Sequence, residues 1–199
     1  MDVEKLDKLP TGLSSYFLNW FSRIYPIEKI DKIYKEKDRK AISMILASPS
    51  PLPKEEINNL LGWDHSQTND FIKKLENYLS KKDDLEGNQT IEIAHKYMAD
   101  WILSDQAADY KVYKEDGLAY IYKGIEELYT LDKEIDSLTR YEKLNLIDAL
   151  KNQRGQKALK DFLNNKEAKD KLLKLADKHL IHILVVATYF AQYASFQKH

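Results

Sequence analysis

The chain has no cysteine among its 199 residues, so neither a disulfide framework nor a thiolate metal site can be built from it. Proline is scarce, and all five prolines fall at or before Pro53, which leaves the rest free to run as long helices. Glycine is equally scarce: the six present are not spaced as the phosphate-cradling G-x-x-x-x-G-K-[ST] loop requires. No surplus of either charge exists, since 31 basic residues face 32 acidic ones. That balance argues against a nucleic-acid partner, which selects for a basic surplus. Long apolar runs are missing too. The most apolar stretch, Leu180 to Phe190, contains His182 and falls short of the roughly 20 residues that a membrane span needs. Met1 to Leu9 is charged and carries no apolar core of a secretory signal. These absences lead us to expect a cytoplasmic protein with no membrane partner.

What is present is helical periodicity. Pro10 to Tyr25 reads as a helix with Phe17, Trp20, Phe21 and Ile24 on one face, stopped by Pro26. Ile27 to Lys37 reads as a short amphipathic helix on Ile27, Ile30, Ile33 and Tyr34. Asp38 to Ala47 follows with Ile42, Ile45 and Leu46 inward. Ser48 to Pro53 is a break. Lys54 to Leu61 is a helix that Gly62 ends. Ser66 to Leu79 is another, on Phe71, Ile72, Leu75 and Leu79. Gly87-Asn88 signals a turn, and Gln89 to Ala94 a strand whose partner lies near Tyr78 to Lys81 or around Leu52. Three helices followed by a turn and a strand pair is the layout of a winged helix, with a helix-turn-helix over residues 52–79.

From Asp105 onward the pattern reads as helical throughout: Gly117 to Tyr129, Ser137 to Leu150, a bend at Arg154-Gly155, Lys157 to Leu163, and Lys166 to Phe196. The fold expected is therefore mainly α: a winged helix with a small β-wing, then an α-helical bundle or a region resembling helical repeats. We expect two domains, residues 1–105 and 106–199, the second a possible start of sensor repeats.

Several pieces in order resemble the STAND class of signalling ATPases, in particular its NACHT branch. Leu9, Pro10, Gly12 and Leu13 precede an aromatic helix with Tyr16, Phe17, Trp20 and Phe21. Ile42 to Leu46, Leu52-Pro53, Leu60-Leu61-Gly62 and Phe71 to Leu79 follow the order of that family's helix-turn-helix. Ile93-Ala94-His95-Lys96 and Asp100-Trp101-Ile102 match its closing strand and helix. The chain departs from the pattern twice. Tyr97 replaces a small hydroxyl residue, and Gly117 is followed by Leu118 where the family commonly has histidine. The resemblance spans about residues 9 to 128.

The resemblance implies a nucleotide-sensing role for His95: its imidazole approaches the β-phosphate of ADP and holds a closed state that ATP releases. An imidazole at a helix start suits that task, because exposed N–H groups and the helix dipole also favour phosphate. Walker A and Walker B motifs are absent from the sequence. The chain is therefore expected to be no enzyme, and to carry no cofactor itself; ADP or ATP with Mg²⁺ is expected only in a full-length parent. Its implied partners are an upstream nucleotide-binding domain of the same chain, a trigger or protein partner of the helical region, and further copies of the full-length protein. The family's roles include defence against phage in bacteria.

A second reading comes from another class: a stand-alone winged-helix transcriptional regulator with a helical dimerisation tail. Its recognition helix would offer Gln67, Thr68, Asn69, Lys73 and Lys74 to DNA. Asp64, Asp70, Glu76, Asp83, Asp84 and Glu86 on or near the same surface would repel phosphates. No metal site is expected. His179 and His182 share a helix face with Asp177 near, yet without an H-E-x-x-H pattern they read as partly exposed helix residues. Asp100, Asp105 and Asp109 lack a nucleophile and read as a solvated helix end. The tyrosines at 110, 113, 120, 122 and 129 read as packing.

Overall fold

A computed structural model describes residues 12–84, 87–130, 138–146, 148, 149 and 152. Leu9, Pro10, Glu86, the bend at Arg154-Gly155, the helices expected over 157–163 and 166–196, and the Asp177, His179 and His182 group lie outside these residues. The chain divides into two compact units between Ile121 and Tyr122. The described residues are mainly helical with one small sheet, and none of their helices is long and apolar enough to cross a membrane.

In the first unit the order is α1 (Leu13–Ile24), a 3-10 turn (Ile27–Lys29), a π-helix (Asp31–Asp38), α2 (Arg39–Ala47), β1 (Leu52–Pro53), α3 (Lys54–Leu61), α4 (His65–Lys74), β2 (Leu79–Asp83), β3 (Gln89–Ile93), α5 (Lys96–Leu103), a 3-10 turn (Asp105–Tyr110) and α6 (Lys114–Thr130), which runs on across the division. The sheet is antiparallel in the order β1-β3-β2, with Leu52 opposite Ile91 and Leu79 opposite Ile93. Both places considered for the first strand are thus strands, one on each side of β3. Gly87 closes the β2–β3 connection at φ 81°, where a side chain would be strained, and Asp84 Oδ1 accepts from the Asn88 amide at 2.8 Å.

Three elements differ from the periodicity. The helix expected over 66–79 stops at Lys74. Leu75 leaves helical geometry (φ −108°), and Tyr78 N donates to Leu75 O at 2.8 Å, which turns the chain into β2. Cross-strand pairing with β3 and ring packing of Tyr78 on Phe17 and Trp20 outweigh the helical spacing of Leu75 and Leu79. The segment 27–38 is a 3-10 turn and a π-helix rather than one amphipathic helix, and Ile27 is exposed. Past residue 105 the helix breaks: Ala108 takes φ 49°, ψ −122°, and Val112 N turns back to donate to Ile102 O at 3.0 Å. Ala107, Tyr110 and Val112 are buried within the first unit.

Trp101, fully buried on α5, packs against Phe17 and Phe21 of α1 with ring centroids 5.4 and 5.0 Å apart. Phe21 also meets Tyr34 and Tyr110. Beside this aromatic core lies a polar chain. Tyr25 Oη and Lys74 Nζ both donate to Asp38 Oδ2, at 2.9 and 2.8 Å. Tyr110 Oη donates to Tyr25 O at 2.8 Å, and Tyr34 Oη donates to Tyr110 O. Burial, and for Tyr25 the adjacent Asp38 carboxylate, push the Tyr25 and Tyr34 hydroxyls far above the usual phenol range.

α6 crosses α2 at Gly117. An added Cβ there would sit 2.0 Å from the Ser43 carbonyl oxygen, so the helices meet backbone to backbone. Ser43 satisfies its own hydroxyl by donating to Arg39 O at 2.8 Å.

In the second unit the described residues include a helical segment over 140–146. Thr139 and Glu142 form a reciprocal cap at its start: Thr139 N donates to Glu142 Oε2 at 2.7 Å, and Glu142 N to Thr139 Oγ1 at 3.1 Å. Burial and Asp148 raise the Tyr122 hydroxyl.

Candidate functional site

Two surfaces carry the residues singled out above. The first is the start of α5. The ladder of β3 continues one step past Ile93, where Ala94 N donates to Tyr78 O at 2.8 Å. His95 follows in extended geometry (φ −123°, ψ 119°) and caps α5 through its backbone: its carbonyl accepts from Met98 N at 3.0 Å and Ala99 N at 3.2 Å. Its imidazole makes no capping hydrogen bond and is exposed. One turn on, Met98, Trp101 and Ile102 are buried. The exposed ring therefore rides on an element that the aromatic core holds in place. Lys96 pairs with Asp100 at 3.0 Å, so its charge is partly answered within the helix. Tyr97, two residues further on, is 52% exposed. An exposed imidazole next to the first N–H groups of a helix can donate to one oxygen of an anion.

The second surface is α4. Its N-terminus is closed by a capping box in which Asp64 Oδ1 accepts from Gln67 N at 2.8 Å and Gln67 Oε1 accepts from Asp64 N at 3.0 Å. Gln67 is thereby engaged with its own helix. Thr68 is fully buried and donates to Asn58 Oδ1 on α3. Asn58 Nδ2 in turn donates to Glu55 Oε2 at 3.0 Å and lies 3.1 Å from His65 Nδ1. Lys74 points its ammonium at Asp38 and over the Tyr25 ring, 6.0 Å from the centroid. Asn69 and Lys73 face solvent, as do Asp70 and Glu76. The five residues considered for DNA thus share no single exposed face.

Other residues named from the sequence fall into packing and ion pairs. Asp105 pairs with Lys111 at 2.5 Å, which lowers the Asp105 carboxyl and raises the Lys111 ammonium from their ordinary ranges. Tyr110 is buried, whereas Tyr113 is 44% exposed under Lys111 and Arg39. Among the described residues, no three His, Cys, Asp or Glu side chains converge as a metal site.

The buried carboxylate of Asp38 is not singled out by the sequence analysis, although a signal existed. It continues the four-residue spacing of Ile30 and Tyr34 toward Ile42, so a carboxylate stands on an apolar stripe. A charge at such a position calls for a buried partner. No family model, curated protein or solved structure matches the chain.

Proposed function

We propose that residues 39–93 form a winged helix, with α3 and α4 as its helix-turn-helix and the β2–β3 connection as its wing. We further propose that it serves as the regulatory module of a STAND-class signalling ATPase. In this reading an upstream domain of the same chain holds ADP or ATP with Mg²⁺, and His95 reaches the β-phosphate of ADP. The helical region beyond receives the trigger.

The observation that carries the reading is the place of His95. It leaves the central strand of a β1-β3-β2 sheet at the first turn of α5, exposed and uncommitted to its helix, on an element anchored by Trp101. An exposed imidazole beside the first N–H groups of a helix suits contact with a phosphate, and the sequence order around it supports the family resemblance. The α4 surface supports DNA recognition less well: Thr68 is inside, Gln67 is in a cap, Lys74 is on Asp38, and Asp70 and Glu76 are outside.

The test is the ADP that copurifies with the full-length gene product. A hydrogen bond to a charged group contributes about 1.5–3 kcal/mol, so H95A should weaken ADP retention by about 10- to 160-fold and raise basal activity. Unchanged retention and activity in H95A would contradict the assignment.

A further inference from the structure

The π-helix buries two residues, Tyr34 and Asp38, and both join the polar chain, Tyr34 by its hydroxyl while its ring packs in the aromatic core. Asp38 is 4% exposed and receives two donors on one oxygen, Lys74 Nζ from the end of α4 and Tyr25 Oη from the end of α1. The pair is asymmetric, because the Lys74 side chain is 38% exposed and can be reached from solvent whereas the carboxylate cannot. From Tyr25 the chain continues through the Tyr110 hydroxyl to the 105–110 turn, where the Tyr110 carbonyl accepts from Tyr34. That turn contains the left-handed Ala108, a conformation that a non-glycine residue keeps only when its surroundings hold it.

We propose that the Lys74–Asp38 ion pair is a latch. While closed, it holds residues 31–38 in π-helical geometry and, through Tyr25, Tyr34 and Tyr110, the strained turn at 105–110; loss of the Lys74 charge releases both segments together. A π-helix is rare and mostly limited to a single turn, so one of 8 residues leans on side-chain contacts to persist. With the ammonium gone, Asp38 is a buried charge that has lost its ion-pair partner, and the cheapest response is to move the carboxylate toward water. That motion takes away the acceptor of Tyr25, whose carbonyl anchors Tyr110. The latch is independent of any role of His95, and it explains why Lys74 is turned from the outer face of α4.

Hydrogen exchange read by mass spectrometry on the 199-residue chain tests this, using K74M and the double variant D38N/K74M. The double variant removes both charges while its new amide oxygen still accepts from Tyr25. K74M should speed exchange by at least about tenfold in peptides over both 31–38 and 105–112, with β2 and β3 as protected as in the wild type. D38N/K74M should return both segments to near wild-type protection. The proposal is overturned if K74M leaves 105–112 unchanged, if exchange rises evenly over the whole first unit, or if the double variant fails to restore protection. Should K74M not fold, K74Q is read in its place by the same outcomes: exchange raised at 31–38 and 105–112 alone supports the latch, and any other pattern overturns it.

Discussion

Gly117 is the residue where one atom matters most. Its missing Cβ leaves room for the Ser43 carbonyl at a distance no side chain tolerates, so G117A must push α6 off α2. We expect a loss of about 3 kcal/mol in urea unfolding, the upper end for overpacking. G62A makes the contrast: Gly62 has open space but φ 63°, so only added backbone strain lowers stability, by about 1 kcal/mol. Equal effects in the two variants would contradict the crossing. The buried tyrosines give a pH prediction. The hydroxyls of Tyr25, Tyr34 and Tyr110 are raised in the folded chain, so they stay protonated where the unfolded chain, with pKa about 10, releases protons. Their contribution is complete below about pH 10 and is lost as pH rises above it. Tyrosinate absorbance from these three should appear together with unfolding in an alkaline titration; gradual ionisation of a folded chain would contradict their burial.

At the scale of elements, α4 shows what periodicity can and cannot say. Its start was read at Ser66, one residue late; Asp64 and Gln67, three residues apart, form the capping box that sets it at His65. D64A should cost about 1 kcal/mol and shorten α4, measurable by thermal unfolding; an unchanged transition would sink the box. Its end was not legible. Phe71, Ile72, Leu75 and Leu79 keep helical spacing, but Leu79 is claimed by Ile93 across the sheet, a partner 14 residues further along. Non-local pairing of this kind leaves no mark on a local window. The same applies to 27–38: Ile30 and Tyr34 were rightly placed inside, while the carboxylate that ends the π-helix meets Lys74, 36 residues further along. β3 was legible because Gly87-Asn88 and the alternation of Ile91 and Ile93 are local signals, and His95 was legible as the start of α5 for the same reason.

For the whole molecule, the near-zero net charge sets the expectation for partners. With 31 basic and 32 acidic residues the chain carries no net positive charge to draw a polyanion. Fluorescence anisotropy with random duplex DNA at low salt should show no binding up to about 0.1 mM. Salt-dependent binding at micromolar concentration that K73E abolishes would favour the transcriptional-regulator reading instead. The central claim concerns His95 and a nucleotide held elsewhere in the full-length product. A crystal structure of that product with ADP bound tests it most directly. The account predicts a ring nitrogen of His95 within about 3.2 Å of a β-phosphate oxygen, the reach of a hydrogen bond. A nucleotide whose phosphates are met by other residues, with His95 left in solvent, would contradict it.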